Sequence, residues 1–169
     1  MVKLKPNREY VMRHLFVTVL MAGLCCWFGY DGFVRYPATP AAELFKSIEG
    51  RDPNARELEG DYLERFKDQK TKTQYGFTLF AGLVALVVGL RLFASYRFDF
   101  EFDDDGFVHQ GRRRAYSDIK NVDRARWEKK GIIRVDGITL DAWHHTGVKE
   151  FVERVEGVEK VEGVERAGK

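Results

Sequence analysis

Two apolar runs, residues 15–30 and 75–90, flank a charged stretch, and a chain patterned this way needs a non-aqueous surrounding for both. A bilayer core takes roughly 20 mostly apolar helical residues, fewer when flanking side chains snorkel. Extending the runs to about residues 10–33 and 74–96 meets that length, with Arg13, His14 and Arg91 near the ends, where long polar side chains reach headgroups. The pattern predicts two transmembrane helices in a hairpin.

The 169 residues and net charge of +2 bound the rest. After two spans and the segment between them, about 70 residues remain, enough for one modest domain. Acidic and basic residues are interleaved in every polar segment, which argues against a nucleic-acid partner. The only cysteines, Cys25 and Cys26, are adjacent inside the first run, so no disulfide framework is expected. Basic residues precede that run as in a signal peptide, but Leu24 stands before Cys25 where a lipoprotein signal needs a small residue. No small-x-small site follows before Tyr30, and an uncleaved anchor is expected. Lys3, Lys5, Arg8 and Arg13 favour a cytoplasmic N-terminus, and two spans then return the C-terminus to the same side. Arg65, Lys67, Lys70 and Lys72, before the second run, pull against that orientation.

Small residues recur at four-residue spacing, as Thr18, Ala22 and Cys26 on the first span and Ala81, Ala85 and Gly89 on the second. Such faces let helix backbones approach closely, either within the hairpin or against a partner span or second copy. Between the spans, Asp31-Gly32 is expected to break the first helix. A short helix should follow, capped by Thr39 with Pro40 in its first position, presenting Ala41, Leu44, Phe45 and Ile48 on one face and ending at Gly50. Asp52-Pro53 repeats the start signal. No proline interrupts residues 54–96, so the next helix, carrying Leu58, Tyr62 and Phe66, is expected to run into the second span as one rod. The helical segment 38–73 would then form a small cap, or lay its shorter helix in the membrane interface.

After the second span the period becomes two. Tyr96, Phe98, Phe100 and Phe102 alternate with Arg97, Asp99 and Glu101, the mark of a half-buried strand. Asp105-Gly106 reads as a positive-φ hairpin turn returning through residues 107–110, and Asp136-Gly137 as a second one between residues 132–135 and 138–141. A strand over residues 119–128 precedes that second hairpin. Thr146-Gly147 opens a last helix with Val148, Phe151, Val152 and Val155 on one face. The expected fold is an α+β membrane protein. A transmembrane hairpin in residues 1–96 is followed by an antiparallel β domain with a C-terminal helix in 97–157. A six-residue Val-Glu-Gly repeat begins at Val155 and runs into an expected disordered tail, 158–169.

Over residues 96–156 the chain resembles the bacterial pleckstrin-homology-like (PH-like) domains that follow one or two membrane spans. The resemblance rests on the strand with Phe98 and Phe100, the Asp105-Gly106-Phe107 turn, and the tract from Gly111 to Ser117-Asp118-Ile119. The strand with Val122 and Trp127 and the final helix complete it. It implies a non-catalytic, membrane-proximal module for assembly or recognition, and the orientation read from the basic residues places both termini on the cytoplasmic side of an inner membrane. Membrane lipids and a membrane-protein partner or second copy are the expected partners. An accessory subunit of a transport or envelope complex, assembling through its spans, is the alternative, and a membrane enzyme a third.

Arg112, Arg113 and Arg114 form the one basic cluster, read either as a grip on anionic headgroups or partners, or as salt-bridged to Asp103, Asp104 and Asp105 across the hairpin. Trp143-His144-His145 is the stretch closest to chemistry. Adjacent histidines on a strand face opposite ways, and even with His109 near them they lack ligands at zinc spacing. No nucleophile elbow, P-loop or dinucleotide fingerprint occurs, so no catalytic residue, metal or cofactor is predicted.

Overall fold

The computed structural model describes the backbone of residues 1–161 and side chains through residue 157. Of the tail expected to be disordered, 158–169, the backbone of 158–161 is helical and 162–169 lie outside the described residues. In chain order the elements are β1 (Val2–Lys3), β2 (Lys5–Pro6), α1 (Arg8–Tyr30), a π-helical stretch (Asp31–Arg35), α2 (Tyr36–Ala38), α3 (Ala41–Glu49), α4 (Ala55–Leu58) and α5 (Tyr62–Tyr96). Then follow β3 (Phe100–Phe102), β4 (Gly106–His109), β5 (Arg112–Ala115), a 3-10 turn (Tyr116–Asp118), β6 (Val122–Asp123), α6 (Trp127–Lys130), β7 (Ile132–Val135), β8 (Ile138–Asp141), β9 (His145–Thr146) and α7 (Val148–Val161). The chain is a mix of helix and small antiparallel sheets with two long apolar helices. It divides into two units: His14–Leu90, and Met1–Arg13 together with the described residues from Arg91 onward.

In the first of these units, α1 and α5 pack antiparallel along a seam whose half-buried positions on α1, namely Thr18, Met21, Cys25 and Phe28, step alternately by three and four. That alternation averages the coiled-coil period and keeps one face on the partner. A Cβ on Gly89 would lie 3.6 Å from Thr18 Cγ2, and one on Gly82 would lie 3.3 Å from Cys25 Sγ. Ala81 is buried and Ala85 and Gly89 half-buried, whereas Ala22 and Cys26 are exposed. A strict four-residue step turns about 40° past a full helical turn each time, so the predicted α1 face rotates off the seam after Thr18.

The first helix does not break at Asp31-Gly32 as expected. It widens into a π-helical turn, with the Tyr36 N–H donating to Asp31 O, and continues to Ala38. Gly32 serves close approach, since a Cβ there would sit 3.0 Å from the Tyr75 ring. The π turn ends two residues before Pro37, whose missing N–H and ring would otherwise disrupt an α-helical ladder. Thr39 ends this helix rather than capping the next. Its hydroxyl donates back to Arg35 O at 2.7 Å, its backbone is extended ahead of Pro40, and Pro40 takes the N-cap of α3. Lys67 Nζ donates to Pro37 O at 3.0 Å and to Thr39 O at 2.8 Å, satisfying carbonyls the helix end leaves open.

The amphipathic face of α3 is as expected, with Ala41, Leu44 and Phe45 buried and the helix closed by Gly50 at φ 70°. Phe45 packs against Phe66 at 5.0 Å between centroids and Tyr62 at 6.4 Å. The next helical start is at Asn54 rather than Asp52-Pro53. A capping box joins Asn54 and Glu57, and Arg51 grips Glu57 in a fork at 2.8 and 2.6 Å. The Arg51 guanidinium and the Asn54 backbone N–H hold the Glu57 carboxyl down at about 2. Gly60, at φ 67°, separates α4 from α5, so the rod begins at Tyr62 and leaves Leu58 on α4. At 35 residues α5 is about 52 Å long, well beyond a hydrocarbon core of about 30 Å.

The second unit holds the principal core. A four-stranded sheet of order β1-β3-β4-β5, a three-stranded sheet β6-β7-β8 and the pair β2-β9 are all antiparallel. From α7, Val148, Phe151, Val152 and Val155 enter the core on the predicted face. Phe151 meets Phe100, Phe107 and Phe102 edge-on at 5.1, 5.7 and 5.6 Å. The alternation of Phe98, Phe100 and Phe102 inward holds, but α5 continues to Tyr96, which is exposed, and the strand proper begins at Phe100.

Asp136-Gly137 forms the expected positive-φ turn, at φ 46° and 85°. Asp105-Gly106 does not. Asp103 Oδ1 accepts the N–H groups of Asp105 and Gly106 and shapes that turn, while Gly106 begins β4 with a backbone that a Cβ would bring to 2.1 Å from Arg114 O. The second positive-φ pair is Gln110-Gly111, between β4 and β5. The predicted strand over 119–128 is confined to Val122–Asp123; Asp123 then accepts the Ala125 N–H and the chain turns into α6.

The unforeseen element is the N-terminus. Val2 pairs with Phe102 and Lys3 with Glu101, Leu4 donates its N–H to Phe100 O and is buried in the core, and Lys5 and Pro6 pair with Thr146 and His145. Residues 1–13 therefore belong with the β domain, not with a unit running from 1 to 96.

Candidate functional site

The basic tract lies on β5, the edge strand of the four-stranded sheet, and all three arginines are exposed. Arg113 pairs with Asp103 at 3.0 Å, and Arg114 lies 3.5 Å from Asp136, whose other oxygen accepts the Lys120 and Asn121 N–H groups. Asp104 takes Arg154 of α7. Across this edge the acidic triplet is drawn into intramolecular pairs, and Arg112 is the member without an ion pair among the described residues. Tyr116 stands behind the turn, donating to Asp103 O at 2.8 Å; burial pushes its phenol up to about 12.

Trp143 and His144 lie in the connection from β8 to β9, His145 begins β9, and all three lie beside the N-terminal segment. Asn7 donates its N–H to His144 O at 2.8 Å, and the buried Tyr10 ring packs on the His144 ring at 4.4 Å. Asp141 Oδ1 accepts the Trp143 N–H at 2.8 Å and its carbonyl the His144 N–H at 3.1 Å, a turn that leaves Trp143 42% exposed. The Arg13 guanidinium covers that ring at 5.1 Å.

His145 points inward. It is buried, its Nε2 lies 3.4 Å from Ser95 O, and its Nδ1 has no partner among the described residues. Burial lowers its pKa below the ordinary histidine range, against the raising effect of Ser95 O. The Phe98 ring lies tilted against His145 at 4.6 Å and His109 at 5.5 Å, and His109 Nδ1 lies 2.8 Å from Asp99 O. The three histidines thus reach backbone carbonyls, aromatic rings and one carboxylate, and no group of three His, Cys, Asp or Glu side chains is placed to hold a metal among the described residues.

On the three-stranded sheet a shallow depression of about 130 Å³ is lined by Asp123, Arg126, Ile132, Arg134 and Thr139. The sequence carries no spacing that would single out these residues, because they come together only through the register of β6, β7 and β8. The Arg13–Trp143 pair is likewise a tertiary product; a tryptophan two residues after Asp141, in the polar stretch ahead of the last helix, is its one sequence signal. No protein-family model, curated protein or solved structure matches the chain.

Proposed function

We propose that this chain is a non-enzymatic, membrane-anchored scaffold or regulatory protein that presents a PH-like module at the cytoplasmic surface of the inner membrane for protein or headgroup contact. The observation carrying this reading is that α1 leaves, and α5 rejoins, one folded unit. Helices of 31 and 35 residues, whose most apolar stretches have almost no buried position, suit a lipid surrounding. Two crossings then return the chain to the side it left, and the pairing of residues 2–6 with β3 and β9 is compatible with that topology. Basic residues ahead of α1 favour the cytoplasm for that side. A four-stranded sheet completed by β1, a three-stranded sheet and a packed C-terminal helix support the PH-like reading, which carries a class of role only. Confinement at a surface makes weak contacts effective through local concentration.

The test is crosslinking and affinity capture from native membranes. The full chain is compared with a version lacking residues 1–7 and 97–169, since β1 and β2 lose their pairing strands when the β domain is removed. Loss of the captured partner is expected. Retention would move the interface to the helical hairpin and favour an accessory subunit that assembles through its spans.

A further inference from the structure

We propose that Trp143 and Arg13 form the β domain's contact with the bilayer surface, the indole lying in the interfacial layer and the guanidinium on a phospholipid phosphate. The inference rests on the membrane reading of α1. Arg13 is two residues ahead of Leu15, where the apolar run begins, which is about 3 Å along the helix axis. A ring held against Arg13 therefore lies at the depth where the first span starts. Trp143 is held there by structure, not left loose: Asp141 fixes the turn, and the tilted packing of Tyr10 on His144 and the Asn7 N–H bond to His144 O tie the same turn to the start of α1 and the residue before it.

Within this arrangement Tyr10 and His145 are buried while Trp143 remains 42% exposed. Tryptophan partitions to the headgroup layer because its apolar body and N–H suit both sides of that boundary. Glu9 takes one terminal nitrogen of Arg13 at 2.5 Å, and a guanidinium has five donor hydrogens in a planar fork, so capacity remains for a phosphate.

The chain has three tryptophans, which makes the test direct. In full-length protein, Trp27→Phe with Trp127→Phe leaves Trp143 as the sole emitter, and Trp127→Phe with Trp143→Phe leaves Trp27, which is 66% exposed in the apolar run of α1. Both are reconstituted into vesicles of phosphatidylethanolamine and phosphatidylglycerol containing phosphatidylcholine brominated near the glycerol backbone. Loss of most Trp143 emission to the brominated lipid, a blue shift, and protection from iodide are expected. Trp27 quenched while Trp143 is reached by iodide overturns the inference and leaves the anchored protein intact. Trp143 shielded from iodide yet insensitive to bromine assigns the indole to a protein contact and also overturns it. Trp27 unquenched by lipid overturns the membrane reading and the inference together. Should the Trp127 substitution disturb the fold, Trp143→Cys in a chain with Cys25→Ser and Cys26→Ser, carrying a spin label, reads the same depth by oxygen against nickel-chelate accessibility.

Discussion

Phenylalanine behaves oppositely in the core of the β domain and in the apolar runs of α1 and α5. Phe100, Phe102, Phe107 and Phe151 are at most 1% exposed and interlock around the end of α7, whereas Phe16 and Phe80, on α1 and α5, are 68% and 63% exposed. Chemistry does not separate the two sets; pattern does. A strand or amphipathic helix sends its aromatic residues to one face, and another element covers that face. A helix that is apolar on every side has only one seam to cover, and the rest must meet a non-aqueous solvent. The β domain therefore draws its stability from water exclusion within the protein, and the α1–α5 pair from the close approach of two helices and, on the proposed membrane reading, from transfer into lipid.

The largest expected break of this contrast comes from truncating the aromatic hub. Phe151→Ala should cost the β domain about 3–5 kcal/mol, through lost burial and a cavity between Phe100 and Phe107. Phe80→Ala should leave that domain's unfolding midpoint unchanged. Chemical denaturation in micelles followed by near-ultraviolet circular dichroism measures both, and an equal loss from the two substitutions would remove the distinction.

Gly106→Ala sharpens it from the backbone side, where a new Cβ must push β4 away from Arg114 O. A cost of about 1–3 kcal/mol is expected, with loss of amide protection confined to the β4–β5 pair. Protection unchanged in hydrogen exchange would show that the strands yield without cost.

The smallest effect is the pH response of His145. Its folded pKa is lowered by burial below the ordinary 6.5, so the unfolded chain takes up the proton first. The stabilisation is present above that value and is lost as pH falls through it toward the folded value. His145→Gln should flatten the melting temperature of the β domain across that window. A profile identical to that of the parent protein would assign the dependence elsewhere.

Some of this architecture was legible from local pattern alone. Asp136-Gly137 announced its hairpin because two successive positive-φ residues are affordable only to such pairs, and Val148, Phe151, Val152 and Val155 announced α7 through their spacing. Asp105-Gly106 looked the same in sequence and proved different, since Gly106 answers to a carbonyl on a neighbouring strand rather than to its own turn. The basic tract and its pairing with Asp103 across the hairpin were visible in the sequence, but the Arg114–Asp136 contact was not, because it joins β5 to the turn between β7 and β8 of another sheet. The Arg13–Trp143 pair had no sequence spacing to reveal it.

By itself the sequence determined the two apolar helices, the switch from helical to alternating period near residue 96, the Asp136-Gly137 hairpin and the apolar face of the last helix, because each follows from steric and hydrophobic periodicity within a few residues. The tertiary structure alone decided that Val2–Pro6 complete the sheets of a domain formed about a hundred residues later, that Gly32 and Gly106 are required by close neighbours, and that Trp143 stands beside Arg13. Strand pairing and close approach depend on segments distant in the chain, and neither leaves a local period from which it can be read.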